Sequence, residues 1–196
     1  MILVAAVLAA GEGRRAGGPK ALLRIASRSF LAHACELMAR PAVQHVIAVV
    51  GHEAARVARE AGCPPSARVV ENQRYREGML TSVWRALDEA ERLDADAVLL
   101  HPVDHPLVAP ETIDAVAAAL AAGAVIAAPS RDGRRGHPGG FARAAWGALR
   151  GASPDAGARS VLAQHPEWIV HVPGDEGCLA GIDTPEDYER LIGRRG

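Results

Sequence analysis

Lysine is almost missing from this chain of 196 residues: of 22 basic side chains, 21 are arginine, and Lys20 stands alone. Where a solvated cation is all that is needed, either residue serves and a drift toward arginine is tolerated. A sole lysine inside a glycine-rich loop therefore marks a position suited to a compact ammonium rather than a planar fork. Asparagine is as rare, with Asn72 the only one, although 20 glycines and 13 prolines are there to serve the turns. Aromatic residues make up 4% and the formal net charge is −1. That composition lacks the stacking platforms and the basic field of a nucleic-acid binder, and any anion site must be local. The expected partner is a small molecule, with no nucleic acid and no membrane.

Cysteine is scarce too. Cys35, Cys63 and Cys178 are odd in number, widely spaced and without a CxxC pair, which excludes a disulfide framework and a zinc site of the usual spacing. No apolar run is long enough for a bilayer: Met1 to Ala10 is too short and has no basic leader, so a cytoplasmic location is expected. The length suits one well-covered α/β domain over residues 1–196 better than two cores.

What the chain does have is alternation. Ile2 to Ala10 is a continuous apolar run of small and β-branched residues, the pattern of a strand covered on both faces. Further strands are expected at 43–50, 67–71, 97–100, 124–128 and 168–172. Helices are expected at 29–40 (capped by Ser29), 53–61, 79–93, 110–122, 142–149, 158–165 and 185–192. Residues 129–140, rich in glycine, proline and charge, read as a functional or mobile loop. The order predicts an α/β fold of three layers, a doubly wound, mostly parallel sheet with ligands beyond the carboxyl ends of its strands.

Five segments carry chemistry. Gly11-Glu12-Gly13-Arg14-Arg15-Ala16-Gly17-Gly18-Pro19-Lys20 follows the first strand; its glycines let amide groups converge on phosphate oxygens while Arg15 and Lys20 add charge. It matches neither GxGxxG leading straight into a helix nor a P-loop, since Ala21 follows Lys20. In His101-Pro102-Val103-Asp104-His105-Pro106, a carboxylate held between prolines at a strand's end is placed to hold Mg²⁺, whose other ligands are water and phosphate oxygens. His101 and His105 are given no ligand role, because magnesium prefers oxygen. In Gly181-Ile182-Asp183-Thr184-Pro185-Glu186-Asp187, Thr184 caps a helix. Asp183, just outside it, either belongs to the turn or is a second metal ligand. Asn72 with Gly78, Met79, Thr81 and Ser82 offers neutral groups suited to a ribose or base, although Thr81 or Ser82 also suits a helix cap. Finally, Arg134-Arg135-Gly136-His137-Pro138 is either a solvated charge run or a site for a second anionic substrate.

Taken together, and in this order, these segments resemble the nucleotidyltransferases of the molybdenum cofactor pathway, above all the molybdenum cofactor cytidylyltransferases, over nearly the whole chain. The glycine loop and the Asp104 turn mark the wider superfamily, which also serves sugar phosphates and isoprenoid precursors. The Arg135-Gly136-His137-Pro138 and Asp183 segments carry the narrower likeness. The resemblance implies a Rossmann-like nucleotidyltransferase fold and transfer of CMP from CTP to the phosphate of a molybdopterin, with Mg²⁺ as cofactor and pyrophosphate released. It also implies a recipient molybdoenzyme or its chaperone as a partner. Leu8-Ala9-Ala10-Gly11 resembles the cytidine-using form; guanylyltransferases tend to show glycine at the place of Ala10. Lys20, Arg15 and Asp104 are the expected catalytic residues, and Asp104 and Asp183 the metal ligands. The nucleotide is expected against Leu8, Ala9, Ala10, Gly11, Glu12, Gly13, Arg14, Arg15, Lys20, Asn72, Gly78, Met79, Ser82, Pro102 and Asp104, and the acceptor against Arg135, Gly136, His137 and Pro138. Ala16 stands where methionine is usual, and Gly181 where a polar residue is. The same chemistry with GTP or with a sugar or isoprenoid phosphate, and a non-catalytic carrier of the finished cofactor, are the alternatives.

Overall fold

A computed structural model describes residues 1–154 and 157–193. Its strands are β1 (Leu3–Ala9), β2 (Arg24–Ile25), β3 (Arg28–Ser29), β4 (His45–Val50), β5 (Ala67–Glu71), β6 (Ala97–Pro102), β7 (Ile126–Arg131), β8 (Arg134–Arg135), β9 (Gly139–Ala142) and β10 (Ile169–Pro173). Its α-helices are α1 (Phe30–Met38), α2 (Ala54–Glu60), α3 (Leu80–Arg92), α4 (Pro110–Ala121), α5 (Trp146–Gly151), α6 (Gly157–Gln164) and α7 (Pro185–Leu191). Among the described residues no helix is long and apolar enough to cross a membrane.

The main sheet runs β10-β7-β9-β6-β1-β4-β5, with β8 against β7; β2 and β3 form a separate hairpin. β1 lies parallel between β4 and β6, and its apolar run follows from that central position. Successive side chains point to opposite faces. Leu3, Ala5, Val7 and Ala9 enter the core under α1 and α4, whereas Val4 and Ala6 enter the core under α3, α5 and α6. Helix α1 starts where Ser29 Oγ accepts the Ala32 amide, satisfying an otherwise unpaired donor of its first turn.

The chain steps from β1 outward to β4 and β5 on one side and returns to β6 on the other. This reversal leaves a crevice beyond the carboxyl ends of β1 and β6, into which the segments after Ala9 and Pro102 both open.

The expectation that residues 129–140 form a loop is corrected. Much of that segment joins the sheet: β9 runs antiparallel between β6 and β7, and β8 pairs back on β7. Glycine hides the strand from a propensity reading, yet packing requires it. A Cβ on Gly140 would come within 2.7 Å of Val116 Cγ1 and 2.8 Å of Leu120 Cδ1, both on α4. Strand and helix are closer than any side chain permits. Gly140→Val should therefore destabilise the protein by about 1–3 kcal/mol through overpacking. The expected reading is a lower urea midpoint with an unchanged slope.

Candidate active site

One side-chain cluster organises the crevice. Lys20 Nζ donates to Asp104 Oδ2 at 2.7 Å and to Asp183 Oδ1 at 2.6 Å, and Arg15 stands 3.2 Å from the same Asp183 oxygen. Three separate parts of the chain meet here. Lys20 comes from the loop after β1, Asp104 from the turn after β6, and Asp183 from the segment before α7. Each is positioned by backbone hydrogen bonds. The amide of Val103 donates to Leu8 O, fixing the Asp104 turn to the end of β1, and the amide of Ile182 donates to Asp104 O, fixing Asp183 beside it. The capping box of Thr184 and Asp187 forms as expected, with the Asp183 amide also donating to Asp187, so Asp183 lies just outside the helix. Gly181 passes over His105, whose Nε2 would stand 3.3 Å from a Cβ at that position, so a larger residue there would crowd the ring.

Partial burial works against the charge on Lys20, but its bonds to Asp104 and Asp183 prevail and raise its pKa. The Lys20 hydrogen bond, opposed by some desolvation, holds Asp183 below the usual carboxylate range. The ammonium and the Asp183 carboxylate are therefore both charged at neutral pH.

The glycine loop forms the adjoining wall. Gly13, at φ 63°, accepts the amides of Ala16 and Gly18 at its carbonyl, and a Cβ on it would lie 1.9 Å from Gly18 O, so only glycine closes this turn. Among the described residues the amides of Gly11, Glu12 and Gly13 donate to no protein acceptor. Three successive unpaired N–H groups beside Lys20 and Arg15 suit an anion.

These groups line a cavity of about 610 Å³, a size suited to a small-molecule ligand. Arg15, Lys20, Asp104 and Asp183 line it, together with Leu8, Ala9, Ala10, Gly11, Gly13, Arg14, Gly78, Met79, Ser82 and Pro102. Tyr75, Arg76, Ala21 and Val103 also line it and were not singled out from the sequence. The clue to Tyr75 was its place between Asn72 and Gly78. The Arg76 guanidinium lies 5.3 Å over its ring. Glu12 turns its carboxylate to Arg14 and Arg76 instead of lining the cavity.

Two expected groups sit elsewhere. Asn72 is buried behind the wall, bonded to Thr81, Ser82 and the Arg74 amide. Of the residues 135–138, Arg135 is exposed on β8 and Pro138 is buried, while His137 packs edge-on against His105 with ring centroids 4.7 Å apart. None of the four lines this cavity.

The donor set bears on a metal. Two carboxylates already converge on one cation, yet among the described residues no group of three or more His, Cys, Asp or Glu is arranged to hold an ion. Two carboxylates suit a hard divalent ion such as Mg²⁺, which keeps several waters and takes phosphate oxygens.

A family model described as the MobA-like NTP transferase domain matches residues 5–168. The chain belongs to the MobA-like NTP transferase family. This NTP transferase is similar to nicotine blue oxidoreductase of Paenarthrobacter nicotinovorans, 34% identical over 95% of this chain and 94% of that protein. It is similar also to 2-C-methyl-D-erythritol 4-phosphate cytidylyltransferase of Deinococcus radiodurans, 37% identical over 65% of this chain and 51% of that protein. Among solved structures, a Mycobacterium tuberculosis protein in complex with manganese superposes with a TM-score of 0.75 at 25% identity, over 98% of this chain and 99% of that one.

Behind the site of this MobA-like NTP transferase lies a histidine cluster. His101 is fully buried, and its ring nitrogens have no protein partner among the described residues. Burial, reinforced by His137 and His105, keeps its pKa well below the ordinary value, and burial followed by His105 lowers His137 to about 4. Between pH 6.5 and about 4 the unfolded chain binds a proton at His137 that the native state refuses, so stability falls as pH drops through this window. The His137 contribution is on the order of 3 kcal/mol. His137→Gln should lessen that acid dependence, leaving the part due to His101 and His105, in urea titrations run across the window; an unchanged slope with pH would contradict it.

Proposed function

We propose that the protein transfers a nucleoside monophosphate, CMP from CTP, to the phosphate of a molybdopterin-type cofactor and releases pyrophosphate. The observation that carries the reading is the Lys20 ammonium shared by Asp104 and Asp183 at one end of a cavity walled by unpaired loop amides. The triphosphate lies along the glycine loop, with the amides of Gly11, Glu12 and Gly13 on its oxygens. Lys20 and Arg15 neutralise charge on the nonbridging and leaving oxygens, and the acceptor phosphate attacks the α-phosphorus in line. Bond formation to that phosphorus accompanies loss of pyrophosphate, and no covalent enzyme intermediate is needed.

Asp104 and Asp183 would hold Mg²⁺, which when bound supplies Lewis-acid neutralisation of phosphate charge. Lys20, bonded to both carboxylates, orients them toward one point and adds its own charge to the phosphate site. The Ala10 Cβ beside the base end favours a pyrimidine on steric grounds. Acceptor contacts by Arg135, Gly136, His137 and Pro138 are part of the proposal, and His137, turned toward His105, contributes there through packing rather than charge. A recipient molybdoenzyme or its chaperone is the proposed partner.

A second reading, oxidation–reduction on a ligand in the same cavity, rests on the likeness to the Paenarthrobacter protein. Turnover separates the readings. Four nucleoside triphosphates with Mg²⁺ are screened against molybdopterin, 2-C-methyl-D-erythritol 4-phosphate and a sugar phosphate, with pyrophosphate as the readout. Release with CTP and molybdopterin supports the proposal, and release with another pair reassigns the substrates. Cofactor binding without release supports a carrier, and, in a parallel arm supplied with a nicotinamide reductant and an oxidised dye, reductant oxidation coupled to dye reduction without pyrophosphate supports the redox reading. Lys20→Ala and Asp104→Asn should each lower kcat by about 10²-fold or more. Lys20→Arg should fail to restore it, because a planar fork does not fit between two carboxylates that share one nitrogen.

A further inference from the structure

Asn72 does not touch the cavity, yet its hydrogen bonds determine what the cavity wall presents. Its Oδ1 accepts the Arg74 amide at 3.0 Å, and a backbone N–H can only donate, so the orientation of the side-chain amide is settled by chemistry. Its Nδ2 must then donate, at 2.9 Å to Thr81 Oγ1 and at 3.0 Å to Ser82 Oγ. Both hydroxyl oxygens are thereby made acceptors, and each must place its own proton elsewhere. Thr81 has an outlet, since its hydroxyl reaches Gly78 O at 2.8 Å and Arg74 O at 3.1 Å. Ser82 has none: among the described residues no protein group accepts its proton, and Ser82 lines the cavity.

We propose that Asn72 is a positioning residue that fixes the Ser82 hydroxyl as a donor toward a hydrogen-bond acceptor on the bound nucleobase. The inference rests on the nucleotide-binding reading given above and deepens it. The direction is imposed from outside the site: the Arg74 amide sets Asn72, Asn72 sets Ser82, and Ser82 meets the base with its proton. A cytosine edge, with acceptors at N3 and O2, is of the matching class. A hydroxyl free to rotate would meet donors and acceptors alike; one that already accepts from Asn72 and whose proton has no protein acceptor is best satisfied by a ligand acceptor.

The test inverts the polarity with little change of shape. In Asn72→Asp one carboxylate oxygen still accepts from Arg74, but the other can only accept. The Thr81 and Ser82 hydroxyls must then donate inward, and Ser82 turns a lone pair to the ligand. Dissociation constants for CTP and for inorganic triphosphate, which carries no base, are measured by calorimetry on the full chain and on Asn72→Asp, Ser82→Ala and the double variant. The measurement is made at alkaline pH, where a carboxylate accepting three donors is ionised.

CTP binding should weaken about tenfold or more in Asn72→Asp and less in Ser82→Ala, because a missing donor costs less than two opposed lone pairs. Triphosphate affinity should be unchanged in both. In the Ser82→Ala background, Asn72→Asp should add no more than about twofold, the signature of two residues acting through one contact. That background also accounts for any disturbance passed through Thr81. The proposal is overturned if Ser82→Ala leaves CTP affinity intact, if Asn72→Asp weakens triphosphate as much as CTP, or if its effect persists in full without the serine hydroxyl. Should the unaltered chain bind triphosphate but no nucleoside triphosphate, the nucleotide reading itself falls, a result distinct from the other three.

Discussion

One ammonium group between two carboxylates is the constraint around which the rest of the site is built. Two carboxylates turned toward one point repel, and burial alone works against the charge on an ammonium. Their shared hydrogen bonds raise the Lys20 pKa and hold Asp183 below the usual carboxylate range in a partly desolvated crevice. The fold has to bring three distant segments to that point. It does so by keeping β1 in the middle of the sheet, β6 at its side and the Ile182 amide on the carbonyl of Asp104. If any of those were displaced by a residue, the cluster would lose a member.

The cavity wall combines groups of different kinds: the cluster of Lys20, Asp104 and Asp183, the glycines of the loop, small side chains of the β1 end, and Tyr75, Gly78, Met79 and Ser82. A ligand with a polyanionic part and a flat, partly apolar part matches that lining. The two kinds of group are ordered by different means. Ion pairing organises the charged cluster, whereas Ser82 belongs to a hydrogen-bond network in which Asn72 ties the Arg74 amide to the first turn of α3. Mutations in one network are therefore expected to leave the other largely intact, since the two share no bond.

Much of this was legible in the sequence, for reasons that differ from residue to residue. Lys20 stood out because the chain uses arginine everywhere else. The strands β1, β4 and β6 could be read because buried parallel strands are nearly uninterrupted apolar runs. Asp183 could be placed because the Thr184 capping box defines where α7 starts and leaves it outside. Strand β9 was hidden because its glycines serve a close approach to α4 that only the tertiary structure reveals. Asn72 was recognised as unusual, and the structure places it behind the cavity wall; rarity does not tell a contact from its support. His137 was read as an acceptor contact or as part of a solvated charge run, and the structure packs its ring against His105. Tyr75 and Arg76 enter the cavity through a short turn whose direction no periodicity encodes.

The sole lysine makes the central interaction directly observable. Lysine-selective ¹³C and ¹⁵N labelling gives one side-chain resonance set, that of Lys20, which can be followed against pH with and without Mg²⁺ and a non-hydrolysable CTP analogue. The account predicts a pKa above that of a free lysine, lost when Asp183→Asn and Asp104→Asn remove the two carboxylates, and a shift of the resonance when metal and nucleotide bind. A signal with the pKa of an exposed lysine, indifferent to both substitutions and to nucleotide, would contradict it.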